Sequence, residues 1–111
     1  MKDEATFVRK ADTAEGRAVL RSIATYRTAK AKEACKLITP HFLKTRYRDN
    51  MPDCLFVVGT AKRELPADAK VLSVKGTEAR VEVKETTNIL SNYVMKKDGG
   101  VWKVDAIVEA P

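Results

Sequence analysis

The sequence predicts an α+β domain, with N-terminal helices packed on one face of an antiparallel β-sheet. Three observations predict it. Between Ala14 and Tyr47, apolar residues recur every three or four positions, the period of a helix buried along one side. After Pro66 the period falls to two, the alternation of a half-exposed strand. Gly76-Thr77 and Asp98-Gly99-Gly100 punctuate that second half with turn residues, so the strands follow one another as a meander. With 111 residues the chain makes one domain, able to bury roughly two-thirds of its unfolded surface without a metal.

Residues 1–13 carry charges around a single Phe7 and are expected to be a leader with little burial, the domain proper running over 14–111. Thr13 or Asp12 can cap the first long helix. Val19, Leu20, Ile23, Ala24 and Tyr26 form one apolar stripe, and Ala31, Ala34, Cys35 and Ile38 a second. No Gly or Pro separates them, so residues 14–38 read as one long helix or as two with a bend near Lys30. Thr39-Pro40 is a helix start: a capping hydroxyl, then a proline with its φ preset. Arg48-Asp49-Asn50-Met51-Pro52 ends that short helix. Cys54–Leu65 is ambiguous. Leu55-Phe56-Val57-Val58 has strand composition, but the twelve-residue spacing favours a helix, which Asp53 can cap.

In the second half, Lys70–Lys75, Ala79–Lys84, Ile89–Lys97 and Val101–Val108 are the expected strands. In the third, Ile89, Ser91, Tyr93 and Met95 share a face. In the fourth, Trp102, Val104 and Ala106 do.

Composition excludes several classes. The 44% hydrophobic and 32% charged content is that of a globular chain. No apolar run approaches the ~18 residues of a membrane span. One His and two Cys exclude a four-cysteine zinc site and a multi-histidine metal site. No phosphate loop, dinucleotide fingerprint, HExxH, CxxC or GxSxG is present, and no cofactor is expected. The net charge of +6 is unevenly spread. Residues 21–48 hold Arg21, Arg27, Lys30, Lys32, Lys36, Lys44, Arg46 and Arg48 against Glu33 alone; elsewhere the charges nearly balance. Such a basic helical face attracts anionic surfaces or simply solvates a helix. Without a nucleic-acid motif or interleaved aromatics, sequence-specific nucleic-acid reading is not expected.

By pattern alone, Cys35 and Cys54 are a disulfide, two buried thiols, or zinc ligands with His41 and a water. His41, the one imidazole, sits at the second position of the short helix that Thr39-Pro40 begins. Tyr26, His41, Phe42, Tyr93 and Trp102 are the candidate lining of a small-molecule pocket, or they fill the core. No inward-facing Asp–His pair is visible, so no catalytic residue is assigned.

Three short stretches, taken in order, resemble a known pattern: Ala34-Cys35-Lys36-Leu37-Ile38-Thr39-Pro40, then Pro52-Asp53-Cys54, then Asp98-Gly99-Gly100-Val101-Trp102-Lys103-Val104-Asp105. Together they resemble the small extracytoplasmic bacterial members of the nuclear transport factor 2-like superfamily over roughly residues 14–108. This chain lacks the family's usual Gly-Asp break between the first two helices, and its Asp-Gly-x-Trp turn is one residue longer. The resemblance implies a curved sheet in a cystatin-like cone, a Cys35–Cys54 disulfide and an extracytoplasmic location, with any signal or anchor lying outside this chain. It also implies function only loosely, because the superfamily hosts isomerases, dehydratases, secretion and conjugation components and non-catalytic domains. The resulting expectation is a non-catalytic extracytoplasmic binding domain, monomeric or homodimeric, whose partner is a protein or an anionic surface. The alternatives are a cone-pocket binder or isomerase-like enzyme, and a periplasmic component of a secretion assembly.

Overall fold

The structure, a computed structural model, describes residues 4–109. Five helices precede four strands: α1 Glu4–Val8, α2 Ala14–Thr28, α3 Ala31–Ala34, α4 Pro40–Tyr47, α5 Met51–Thr60, β1 Asp68–Lys75, β2 Glu78–Thr86, β3 Ile89–Asp98 and β4 Val101–Glu109. The strands pair antiparallel in the order β1-β2-β3-β4. The α+β class and the meander are as the sequence predicts.

Helix boundaries follow from local chemistry. Thr13 caps α2 by accepting from the Gly16 amide at 2.9 Å. A Cβ at Gly16 would lie 3.0 Å from that hydroxyl, so glycine is what lets the cap close. Thr39 caps α4, accepting from the Phe42 amide at 3.1 Å, with Pro40 in the first turn. Helix α4 ends in left-handed residues, Arg48 and Asp49. Helix α5 begins earlier than expected. Asn50, not Asp53, is its cap, its Oδ1 accepting from the Asp53 amide at 3.1 Å; Pro52 then sits in the first turn.

The long apolar stretch resolves into two helices. The chain turns extended at Ala29 and Lys30. The Thr28 hydroxyl donates back to the Ala24 carbonyl at 2.8 Å. From far along the chain, Arg63 donates to the carbonyls of Tyr26 and Ala29. That guanidinium satisfies the carbonyls α2 leaves open at its end.

The expectation of an unburied leader is corrected within the described residues. Phe7, Val8 and Ala11 are buried in the core, α1 packs on α2, and Lys10 pairs with Asp68 of β1 at 2.8 Å. The burial of two large apolar side chains outweighs the surrounding charge.

One sheet face is apolar and covered: Ala79, Val81, Val83, Tyr93, Met95, Trp102 and Val104 are buried against Val19, Leu20, Ile23, Ile38 and Phe42. The strand alternation is interrupted near Leu72, Glu85 and Asp105, where the register shifts; such bulges bend and twist a strand. The shift in β4 corrects one expected face. Ala106 pairs with Val94 on the outer side, and Ile107 takes the inner position opposite Tyr93. Asp105, the extra residue, accepts from the Thr39 hydroxyl at 2.6 Å. Beside it, Thr39 donates its amide to Val104 O, and Val104 donates to Leu37 O. The α3–α4 link is thereby sewn to the edge of β4.

Candidate functional site

Cys35, at the end of α3, and Cys54, inside α5, form a disulfide. Both are buried, and His41 is exposed on α4. No cluster of metal-ligating side chains occurs among the described residues.

Tyr26 and Tyr93 meet in a cleft of about 300 Å³, closed by Arg27, Arg46, Tyr47, Val57, Val58, Arg63, Glu85 and Ile107. The other three residues of the expected pocket lie elsewhere. Phe42 is buried core, edge-on to Tyr26 and Tyr47 with ring centres 6.2 and 5.9 Å away. His41 faces solvent. Trp102 lines a separate shallow depression with Ala18, Arg21, Leu37 and Val101. Its indole N–H has no partner among the described residues, and Lys97 Nζ lies 5.8 Å from its ring centre.

Sequence reading missed how the cleft is charged. Arg27, expected on the basic face, turns inward. Its Nη1 lies 2.7 and 3.0 Å from the two carboxylate oxygens of Glu85 and donates to the Tyr93 hydroxyl at 3.2 Å. A signal was present: Arg27 falls at the end of the buried stripe of α2, and Glu85 continues the inward positions Val81 and Val83. The Tyr26 and Tyr47 hydroxyls are 3.2 Å apart. Burial pushes the Tyr26 phenol far above its ordinary range, helped by its bond to Tyr47. Burial also raises Tyr93, partly offset by Arg27. For Arg27, burial lowers the pKa, but Tyr93 and Glu85 more than reverse it. At neutral pH the cleft therefore offers protonated phenols and a neutralised Arg–Glu pair. It can donate hydrogen bonds. A wider, shallower depression of about 620 Å³ lies across Arg63 and Glu85, edged by Glu4, Thr28, Glu64, Leu65 and Ala67.

The helical layer carries the second feature. Arg21, Lys30, Lys32, Lys36, Lys44, Arg46 and Arg48 form no ion pair among the described residues; of the eight expected cations only Arg27 does. Beside them, α5 packs chiefly on α3 and α4 and buries only Cys54 and Val58. Met51, Leu55, Phe56 and Val57 are exposed.

No family model matches the sequence, and neither a curated protein nor a solved structure matches it. No helix among the described residues is long and apolar enough to cross a membrane.

Proposed function

We propose that this chain is a non-catalytic binding domain of an oxidising, extracytoplasmic compartment, and that its helical layer is the surface that binds an anionic partner. The observation that carries this reading is the set of seven cations between Arg21 and Arg48 without an ion pair among the described residues, in a helical layer whose α5 exposes Met51, Leu55, Phe56 and Val57. Fixed positive charge without internal partners raises the local concentration of anions and speeds their encounter. The disulfide supports the compartment, since such bonds persist where thiols are not kept reduced. The order of helices, then meander, supports the resemblance to the cone-shaped superfamily.

The test is retention on immobilised heparin, a soluble polyanion, over a salt gradient. The wild-type chain is expected to elute late, and Lys44→Glu/Arg46→Glu/Arg48→Glu at low salt. Equal elution of the two would remove the basis of the reading.

A second reading, a small organic anion held in the cleft, rests on Arg46 beside the phenols of Tyr26 and Tyr47. It predicts a rise in melting temperature with small carboxylates that Arg46→Ala abolishes.

A further inference from the structure

Helix α5 has the surface of an element that meets something other than water. Of its ten residues only Asp53 is ionisable. Cys54 and Val58, one turn apart, point inward and are buried. Successive residues of a helix are about 100° apart, so Phe56 points directly away from them, with Pro52 one turn before it and Leu55 and Val57 on either flank. Phe56 is 72% exposed. Thr60 and Asp53 lie about 40° and 60° round the helix from Phe56, nearer than Leu55 and Val57 at about 100°, so the crest is Pro52 and Phe56 with two short polar side chains beside them. A large, exposed apolar side chain with further exposed apolar residues about it marks an interaction site.

What surrounds the crest identifies the occupant. On one side is α3: a Cβ at Gly59 would lie 3.7 Å from the Ala31 side chain, which places Lys30 and Lys32 alongside. Lys36 comes directly after Cys35, which is bonded to α5 itself. On the other side, Arg46, Lys62 and Arg63 line the same cleft as Val57, Val58 and Ala61. Lys44 and Arg48 complete α4 and its exit. Of these eight cations Arg63 is turned to the Tyr26 and Ala29 carbonyls; against them stand Glu33, Asp49, Asp53, Glu64, which is 3.8 Å from Lys62, and, in the same cleft, Glu109 and the Arg27-paired Glu85. A second copy of this face would bring two basic rims together, which like-charge repulsion opposes. An apolar crest ringed by Lys and Arg instead has the chemistry of an interfacial helix. The crest enters the boundary of the acyl chains, while the long basic side chains lie along it and reach the headgroup phosphates.

The geometry points to α5 as a membrane-docking helix: Phe56, flanked by Leu55 and Val57, inserts into the interface of an anionic bilayer, and the cations of α3 and α4 hold the headgroups. This rests on the reading of the helical layer as the binding surface and names its partner. The disulfide would present the helix preformed, so insertion need not supply its folding.

The test uses the oxidised full chain with vesicles of phosphatidylglycerol mixed into phosphatidylcholine, compared with phosphatidylcholine alone. Cosedimentation with the anionic vesicles only is expected. Phe56→Ser should weaken it about tenfold, because one large apolar side chain is withdrawn from the interface. Its thermal melt should match wild type, since Phe56 touches little of the core. Phe56→Trp should gain a fluorescence component quenched by brominated acyl chains, while Trp102, buried in the core, is not quenched. Three results would overturn the proposal: no binding to anionic vesicles, binding indifferent to Phe56→Ser, or a dimer in sedimentation velocity that Phe56→Ser dissociates. Retention on heparin without vesicle binding would overturn the membrane inference and leave the basic surface standing. Binding to neither would overturn both.

Discussion

Breaking the Cys35–Cys54 bond should release α5 before it unfolds the domain. The two cysteines are 19 residues apart, and tying off a loop of that length stabilises the folded state by about 3 kcal/mol in the chain-entropy treatment. Helix α5 has little else to hold it. Val58 is its one other buried side chain, worth about 1.5–2 kcal/mol of transfer free energy. A ten-residue helix in water is marginal on its own propensity. Cys35→Ala/Cys54→Ala, or the reduced wild type, should therefore melt roughly 10–20 °C lower, given the few degrees lost per kcal/mol in a domain of this size. Hydrogen exchange adds the spatial readout. Amides of Cys54 to Thr60 should lose nearly all protection on reduction, whereas those of β2 and β3 should lose only what the lower global stability removes. Equal melting temperatures, with α5 equally protected in both redox states, would refute the reasoning and show that packing against α3 and α4 suffices.

Three further outcomes depend on the bonding around the sheet. Thr39→Val should cost about 1–3 kcal/mol in urea unfolding, because it removes the α4 cap and takes the hydroxyl donor from Asp105, whose side chain is only 13% exposed; Thr39→Ser should restore most of it. Glu85→Gln should cost about 2 kcal/mol by leaving Arg27 in the cleft without its carboxylate, and an unchanged urea midpoint would show the pair to be solvated. Alkaline pH should destabilise the fold through Tyr26 and Tyr93. Their folded-state pKa values are raised, so the stabilisation is complete below the unfolded value near ~10 and falls as pH rises beyond it, by up to about 1.4 kcal/mol per pH unit for each phenol. Absorbance at the phenolate band should show these two groups ionising only as the chain unfolds, and early ionisation without unfolding would contradict it.

What the sequence made legible was whatever local chemistry decides. The Thr39-Pro40 cap, the change from helical to strand period after Pro66 and the Asp98-Gly99-Gly100 turn all depend on neighbours in the chain. The places where the reading needed correction were decided from a distance. The end of α2 is set partly by Arg63, 34 residues beyond Ala29. The bulge that turns Ala106 outward is built around a bond between Thr39 and Asp105, 66 residues apart. Helix α1, five residues long, is too short to show a period and is buried by packing on α2. The cleft suffered most. A count of charges placed Arg27 with the other cations, because composition does not say which long side chain swings inward to meet a carboxylate from another strand.

The ambiguity of Leu55-Phe56-Val57-Val58 has a different origin. A helix facing core on one side and water on the other announces itself by polar residues on the water side. Helix α5 has only Asp53 and Thr60 there, one near each end, and none between them, so its middle resembles a strand as much as a helix. The reason is visible in the structure: its outer side is apolar and exposed. A helix built this way gains little from folding against the domain, since only two of its side chains are buried. One of those two is Cys54. The disulfide and the bare apolar crest thus explain each other. A covalent tie lets the chain hold in helical form, on the outside of the domain, a segment whose composition would otherwise favour collapse or strand pairing. Such an arrangement is consistent with use only if the crest has a surface to meet. On the reading proposed above, that surface is the anionic bilayer, which a rim of Lys and Arg favours.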